Sequence, residues 1–291
     1  MPFQGDIGEA PMELLVDRNC RVMHVTLNRP DKRNALTSRM CSEIVAAVES
    51  AQTDLEIGAI LIGGVGQVFC AGMDLDEAAG MHDSELAELH DDLFTMGARS
   101  TKPIVVCVNG AALGGGLGLV AQGHVVIAAQ GAVFGLPEIR IGLWPFLVYR
   151  AVETAVGPRR TLELSLTGRV FPAHDAVIWG LVDQISPPAE AAERARALAR
   201  DLAKASPIAI ATGMEYFHGS RAQSWDEAGR LAKTLRGRLM ATDDFKEGYE
   251  AFKQKREPRW PSMPQDFYAA GPGHNNAERQ ASAKSTSNHK K

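Results

Sequence analysis

Asn109-Gly110-Ala111-Ala112-Leu113-Gly114-Gly115-Gly116 follows the apolar run Ile104-Val105-Val106-Cys107-Val108 and precedes a short apolar stretch of helical character. The pattern predicts a strand that feeds a helix through a turn only glycine can make. Three successive glycines strip the side chains from the start of that helix, leaving backbone N–H groups and the positive end of the helix dipole open to an oxygen carrying negative charge. The same pattern also describes an ordinary tight turn between strand and helix, and a glycine cluster alone does not separate the two.

Two further stretches bear on that choice. Gly66-Gln67-Val68-Phe69-Cys70-Ala71-Gly72-Met73-Asp74-Leu75 follows the strand-like run Ala59-Ile60-Leu61-Ile62 and again ends in small residues before a helical pattern. Two bare backbone turns can share one oxygen. Phe134-Gly135-Leu136-Pro137-Glu138-Ile139 puts a single carboxylate into an apolar segment punctuated by glycine and proline. An acid there is costly unless it is used or paired.

With these blocks in hand the chain resembles the crotonase, or enoyl-CoA hydratase/isomerase, superfamily from about Met12 to Trp260. The resemblance also draws on Val25-Thr26-Leu27-Asn28-Arg29-Pro30 with Asn34-Ala35-Leu36, on Pro137-Glu138-Ile139-Arg140-Ile141-Gly142-Leu143, and on Glu163-Leu164-Ser165-Leu166-Thr167-Gly168 with Gly180-Leu181-Val182. It closes with Glu247-Gly248 and Ala251-Phe252-Lys253-Gln254-Lys255-Arg256. It implies an α/β fold, a crotonase-like spiral of ββα units with a helical C-terminal region, although no clear sequence repeat is visible.

The patterning agrees with a mixed class. Short β-rich runs at 13–16, 22–27, 59–62, 104–108 and 125–128 alternate with helical patterns such as Arg39 to Ala51, which predicts parallel pairing through crossovers. Beyond Glu138 the pattern turns helical, with Pro158 at a helix start and amphipathic runs at 188–205 and 224–239. The expected organisation is an N-terminal extension at 1–11, the spiral core at 12–200, a helical trimerisation region at 201–260, and a tail at 261–291 without apolar periodicity, expected to be disordered.

The resemblance implies an acyl-CoA thioester as substrate, with coenzyme A part of that substrate, no separate cofactor and no metal. The amides of Met73 and Gly115 would hold the thioester oxygen as it gains enolate character, and Glu138 would act as the base, its pKa raised by partial burial. The backbone around Ala71, Met73 and Leu75 would meet the adenine end of coenzyme A, Gly114 would contact the substrate, Lys32 or Arg33 and Lys255, the last from a neighbouring subunit, would approach phosphates, and Trp144 with Pro145-Phe146-Leu147 would reshape the acyl pocket or simply pack with Pro145 at a helix start. A homotrimer or a hexamer built as a dimer of trimers is implied in the same way.

One departure stands out. Hydratases of the family carry a second glutamate one helical turn beyond the hole, whereas this chain reads Leu117-Gly118-Leu119. A single base suffices to move a double bond from the 3,4 to the 2,3 position, so Δ3,Δ2-enoyl-CoA isomerisation is preferred over hydration. His82, His90, Asp91 or Asp92 in the acidic segment 76–100 could replace the missing acid, or form a solvated face; His124 is expected to be structural. The alternatives left open are a catalytically weak acyl-CoA-binding or assembly protein and another crotonase-type reaction.

Composition narrows the remaining classes. Of 291 residues 45% are hydrophobic, enough for a sizeable core, and the net charge of −4 gives no general attraction for phosphate backbones. Nucleic-acid binding is therefore not expected. Met1-Pro2-Phe3-Gln4-Gly5-Asp6 has neither a basic nor an apolar leader pattern, and no run reaches the roughly 18 apolar residues of a membrane span; a cytoplasmic protein without membrane contact is expected. Cys20, Cys41, Cys70 and Cys107 lie far apart without a C-x-x-C pair, which predicts reduced core thiols.

Overall fold

The computed structural model describes residues 12–80 and 83–269. β1 (Leu14–Asn19) and β2 (Val22–Leu27) pair antiparallel across a turn in which Cys20 and Arg21 take positive φ. α1 (Ser38–Thr53) starts where the Thr37 side chain accepts the Met40 N–H, and Met40, Cys41, Ile44, Ala47, Val48 and Ala51 line its buried face at helical spacing.

The chain then winds in repeating turns, each placing one strand in a large sheet and the next in a small one before a helix. β3 (Ala59–Gly64) and β4 (Val68–Cys70) lead to α2 (Leu75–Ala78), α3 (Asp83–Leu93) and α4 (Met96–Arg99). β5 (Ile104–Val108) and β6 (Ala111–Leu113) lead to α5 (Gly115–Val120). β7 (Val125–Ala129) and β8 (Val133–Gly135) lead through a tight 3-10 turn at Pro137–Ile141 to α6 (Phe146–Val156) and α7 (Pro158–Thr167). β9 (Val170–Pro172), α8 (Ala173–Ile178) and β10 (Gln184–Ser186) complete both sheets.

The large sheet has the order β1-β2-β3-β5-β7-β10 and the small one β4-β6-β8-β9. From β2 onward the large sheet is parallel, and in the small sheet only β9 runs against its neighbour. These are the ββα units of the crotonase spiral. One expectation needs correcting: Asn109 to Gly116 is not a single turn from strand to helix, because β6 intervenes and pairs with β4 and β8. Three residues are too few to show a period-two pattern in the sequence.

Between the sheets lies one apolar core, with Phe69, Phe134 and Phe171 of the small sheet fully buried alongside Leu27, Ile60 and Ile62 of the large one. α9 (Pro188–Ala203) covers the opposite face of the large sheet, setting Ala191, Ala195, Ala199 and Ala203 against Val22, Ala59, Leu61, Val105 and Ile127. Methyl-sized side chains at a four-residue interval let the helix come close: a Cβ on Gly58 would stand 2.8 Å from the Ala203 Cα. A boundary at residue 200 would cut this helix, which stays on the sheet to Ala203.

α10 (Pro207–Ser220), α11 (Trp225–Met240) and α12 (Asp243–Gln254) follow, α11 opening with a capping box between Ser224 and Glu227. The expected loss of order after Trp260 is also corrected, since Met263 is 2% exposed and α13 (Asp266–Ala269) lies beyond it. Buried Asp244 on α12 anchors this stretch by accepting the Ser262 N–H at 2.9 Å and its hydroxyl at 2.6 Å. The proposed extension at 1–11 and the tail from 270 lie outside the described residues.

Among the described residues no helix is long and apolar enough to cross a membrane. Three of the four cysteines are buried, and burial pushes the Cys41 and Cys70 thiols up to about 12; Cys20, expected in the core, is exposed in the β1–β2 turn instead.

Candidate functional site

β4, β6 and β8 run parallel and side by side, so their C-terminal ends share one edge of the small sheet. Each strand is followed by one of the three segments singled out in the sequence: Ala71-Gly72-Met73 after β4, Gly114-Gly115 after β6, and Leu136-Pro137-Glu138 after β8. The carboxyl ends of parallel strands are where such folds leave backbone groups free for a ligand.

The two glycine turns touch. A Cβ on Gly72 would stand 3.5 Å from the Gly115 N, and a Cβ on Gly115 would stand 3.6 Å from the Met73 N. Gly72 and Gly114 hold φ of +105° and +52°, a region that side chains rarely enter. Leu36 aims the first amide: its N–H donates to the Gly72 carbonyl at 2.8 Å and its carbonyl accepts the Asp74 N–H at 2.9 Å, which turns the Met73 N–H to the other side. The Gly115 N–H belongs to the first turn of α5, whose amides have no partner within the helix. Among the described residues, loop and turn hydrogen bonds include no backbone acceptor for either N–H.

Glu138 completes the cluster. Its Oε1 lies 2.9 Å from where a Cβ on Gly114 would be, and its Oε2 is buried without a hydrogen-bond partner. Burial pushes the carboxyl up to about 7, against a smaller downward pull from a backbone hydrogen bond within the residue. A group that is half ionised near neutral pH can both take and return a proton.

The position one turn beyond Gly115 carries no acid and has no room for one. A Cβ on Gly118 would meet Phe94 Cδ1 and Cε1, both at 2.8 Å, and Val148 Cγ1 at 3.1 Å. Glycine within a helix costs about 1 kcal/mol relative to alanine, and the Phe94 ring is the reason it is needed here.

Residues 17–263 match the family described as enoyl-CoA hydratase/isomerase. The chain belongs to the enoyl-CoA hydratase/isomerase family. It is 35% identical to a probable mitochondrial enoyl-CoA hydratase of Dictyostelium discoideum over 84% of its own length and 89% of that protein. It is 36% identical to the 2,3-dehydroadipyl-CoA hydratase of Escherichia coli K12, over 84% and 97% of the two chains. A crystal structure of enoyl-CoA hydratase from Mycobacterium smegmatis superimposes with a TM-score of 0.81 at 29% identity, covering 86% of this chain and 99% of that one.

In this family member the other candidate residues divide. Asp91 pairs with Arg150, and Asp92 with Arg99 at 2.9 Å, all partly exposed. His90 is half-buried with its ring 5.7 Å from that of Phe94, and burial lowers its pKa. His82 lies outside the described residues. His124 is structural: Nδ1 accepts the Ile104 N–H at 2.9 Å, Nε2 faces the Gly97 carbonyl at 3.1 Å, and burial lowers its pKa to about 4.

Lys32 and Arg33 sit in an exposed turn beside the cluster, with the Arg33 carbonyl accepting the Ala71 N–H at 3.0 Å. Leu75 is 51% exposed at the start of α2, as a wall open to a ligand would be. Lys255 is the exposed left-handed cap of α12, which packs within this chain chiefly on α11. Trp144 is half-buried, its ring 6.3 Å from that of Tyr149, and Pro145 is the residue that starts α6.

Arg29 and Asn34 support the site without having been assigned a role from sequence. Arg29 bridges Glu13 and Asp74, each at 2.9 Å, and donates to the Ala35 carbonyl at 2.7 Å, tying the residue after Met73 to the Leu36 segment. Fully buried Asn34 accepts the Arg29 N–H at 2.8 Å and donates to the Val65 and Val68 carbonyls at 2.9 and 2.8 Å. Both belong to the quoted block around Asn28-Arg29-Pro30, so their presence was legible while their partners were not.

Proposed function

We propose that this chain binds an enoyl-CoA thioester and catalyses migration of its double bond between the 3,4 and 2,3 positions. The Met73 and Gly115 N–H groups form an oxyanion hole for the thioester oxygen, and Glu138 takes a proton from C2 and returns it to C4. As the proton leaves, charge moves onto that oxygen; a single such donor is worth roughly 3–4 kcal/mol in other enzymes. The observation that carries the reading is one carboxyl raised to about 7 beside Gly114, its buried Oε2 without a hydrogen-bond partner, with position 118 filled by hydrocarbon.

A binding protein has no use for an acid whose pKa burial raises and whose Oε2 is left without a partner, so catalysis is the better account. Hydration of the 2-enoyl thioester is the second reading, favoured by the hydratase names of the Dictyostelium discoideum and Escherichia coli relatives. Lys32 or Arg33 approach the coenzyme A phosphates, and Lys255 does so from a neighbouring subunit of a homotrimer or hexamer assembled through α10 to α12. Exposed Phe217, Tyr249 and Phe252 on those helices support that assembly. The enzyme works in the cytoplasm and needs no cofactor beyond the coenzyme A of its substrate.

The test follows both reactions separately, giving wild type and Glu138→Gln a 3-enoyl-CoA and a 2-enoyl-CoA. Migration without water addition, abolished in the variant, is expected. Fast water addition by the wild type would replace this reading with hydration.

A further inference from the structure

Phe94 lies in the turn between α3 and α4, is 4% exposed, and has its ring laid along the first turn of α5. Its Cζ would be 3.3 Å from a Cβ on Gly115, and the same Cβ would be 3.6 Å from the Met73 N, so the tip of the ring borders the two amides. Its edge fills the space off Gly118. Gln122, just past the end of α5, clamps the turn: its side-chain Nε2 donates to the Phe94 carbonyl at 2.7 Å and its Oε1 accepts the Gly97 N–H at 2.9 Å. The ring is thus held by the segment that leaves the helix it covers.

We infer that Phe94, clamped by Gln122 and matched to Gly118, is the residue that keeps water out of the α5 side of the site and so selects proton transfer over water addition. This rests on the thioester reading above. Addition of water to a 2-enoyl thioester puts a hydroxyl on C3 and a proton on C2, so a water must be held beside C3 while one group takes its proton and another supplies the proton for C2. An ordered water needs two to four polar partners. The wall formed by Leu36, Phe94 and Val148 offers carbon atoms. Glu138 is the carboxyl on the other side of the site, and a single carboxyl suffices for migration, in which the proton it removes is the proton it returns.

Two readouts test the pair. The first is thermal: Gly118→Ala is expected to lower the melting temperature in the wild type, where the methyl meets the ring, and to raise it in Phe94→Ala, where the helix gains a better former. Phe94→Val serves the same cycle if alanine leaves too little folded protein. The second is water addition to a 2-enoyl-CoA: Gly118→Glu alone is expected to add none, and Gly118→Glu with Phe94→Ala to gain on the order of 100-fold over wild type, the scale of one added acid or base. A raised melting temperature for Gly118→Ala with Phe94 present, or hydration by Gly118→Glu without the second change, would overturn the inference. Neither readout requires the wild type to move a double bond, so a failed migration assay counts against the proposed reaction alone.

Discussion

Glu138→Gln should cost activity and gain stability, and the gain should depend on pH in a defined direction. Unfolded, the carboxyl ionises near 4.5; in the folded site burial holds it to about 7. Between those values the folded chain keeps a proton that the unfolded chain has released, so stability falls as pH rises through the window, and the cost is complete above about 7. At about 1.4 kcal/mol per pH unit, a window from 4.5 to about 7 corresponds to about 3 kcal/mol. Glutamine carries no charge, and the unpartnered Oε2 means that no hydrogen bond is lost there. The variant should therefore be more stable than wild type by up to about 3 kcal/mol at pH 8, on the order of 5–10 °C in melting temperature, and indistinguishable from it at pH 4. Migration activity should fall roughly 10²- to 10⁴-fold. In the wild type kcat/KM should be half-maximal near pH 7 and lose about tenfold for each pH unit below it. Calorimetry at both pH values and a rate profile from pH 5 to 9 measure all of this. A stability difference that does not change with pH, or a rate that stays flat down to pH 5, would refute the account of Glu138 as a desolvated base.

Two substitutions probe the supports of the same site. Gly114→Ala forces a side chain into φ of +52° and puts its Cβ 2.9 Å from Glu138 Oε1, so kcat should drop at least about 100-fold while thermal denaturation shows a loss of about 1–3 kcal/mol from backbone strain. Arg29→Ala leaves Glu13 and Asp74 without their shared partner; urea denaturation should show a loss of about 3 kcal/mol, and kcat should fall more than KM rises because Asp74 adjoins Met73.

The resemblance rested on blocks that keep their meaning in one dimension. A glycine run after an apolar strand, or a Pro-Glu pair in an apolar stretch, announces a local backbone demand wherever it is read. Strands β3, β5 and β7 were legible as unbroken apolar runs, and helices α1, α9 and α11 because their apolar residues repeat long enough to show a period. β4, β6 and β8 were not, since none exceeds three residues and their stability comes from lying beside one another. Phe94 was invisible for the same reason: an aromatic in an acidic segment says nothing until the turn holding it is packed on α5. The order at 261–269 depends on Asp244, and the alanine stripe of α9 acquires its purpose from the sheet beneath it.

The sequence by itself determined the α/β class, the family resemblance, the absence of a second acid at Gly118, and the identity of the three segments that matter, because each depends on residue type and near neighbours. Only the tertiary structure decided that those segments leave adjacent parallel strands at one edge, that the Met73 and Gly115 backbones come close together, and that Glu138 is raised to about 7. It also decided that the missing acid has been replaced by a ring rather than by solvent. Proximity and burial are properties of packing between residues far apart in the chain, and no local pattern encodes them.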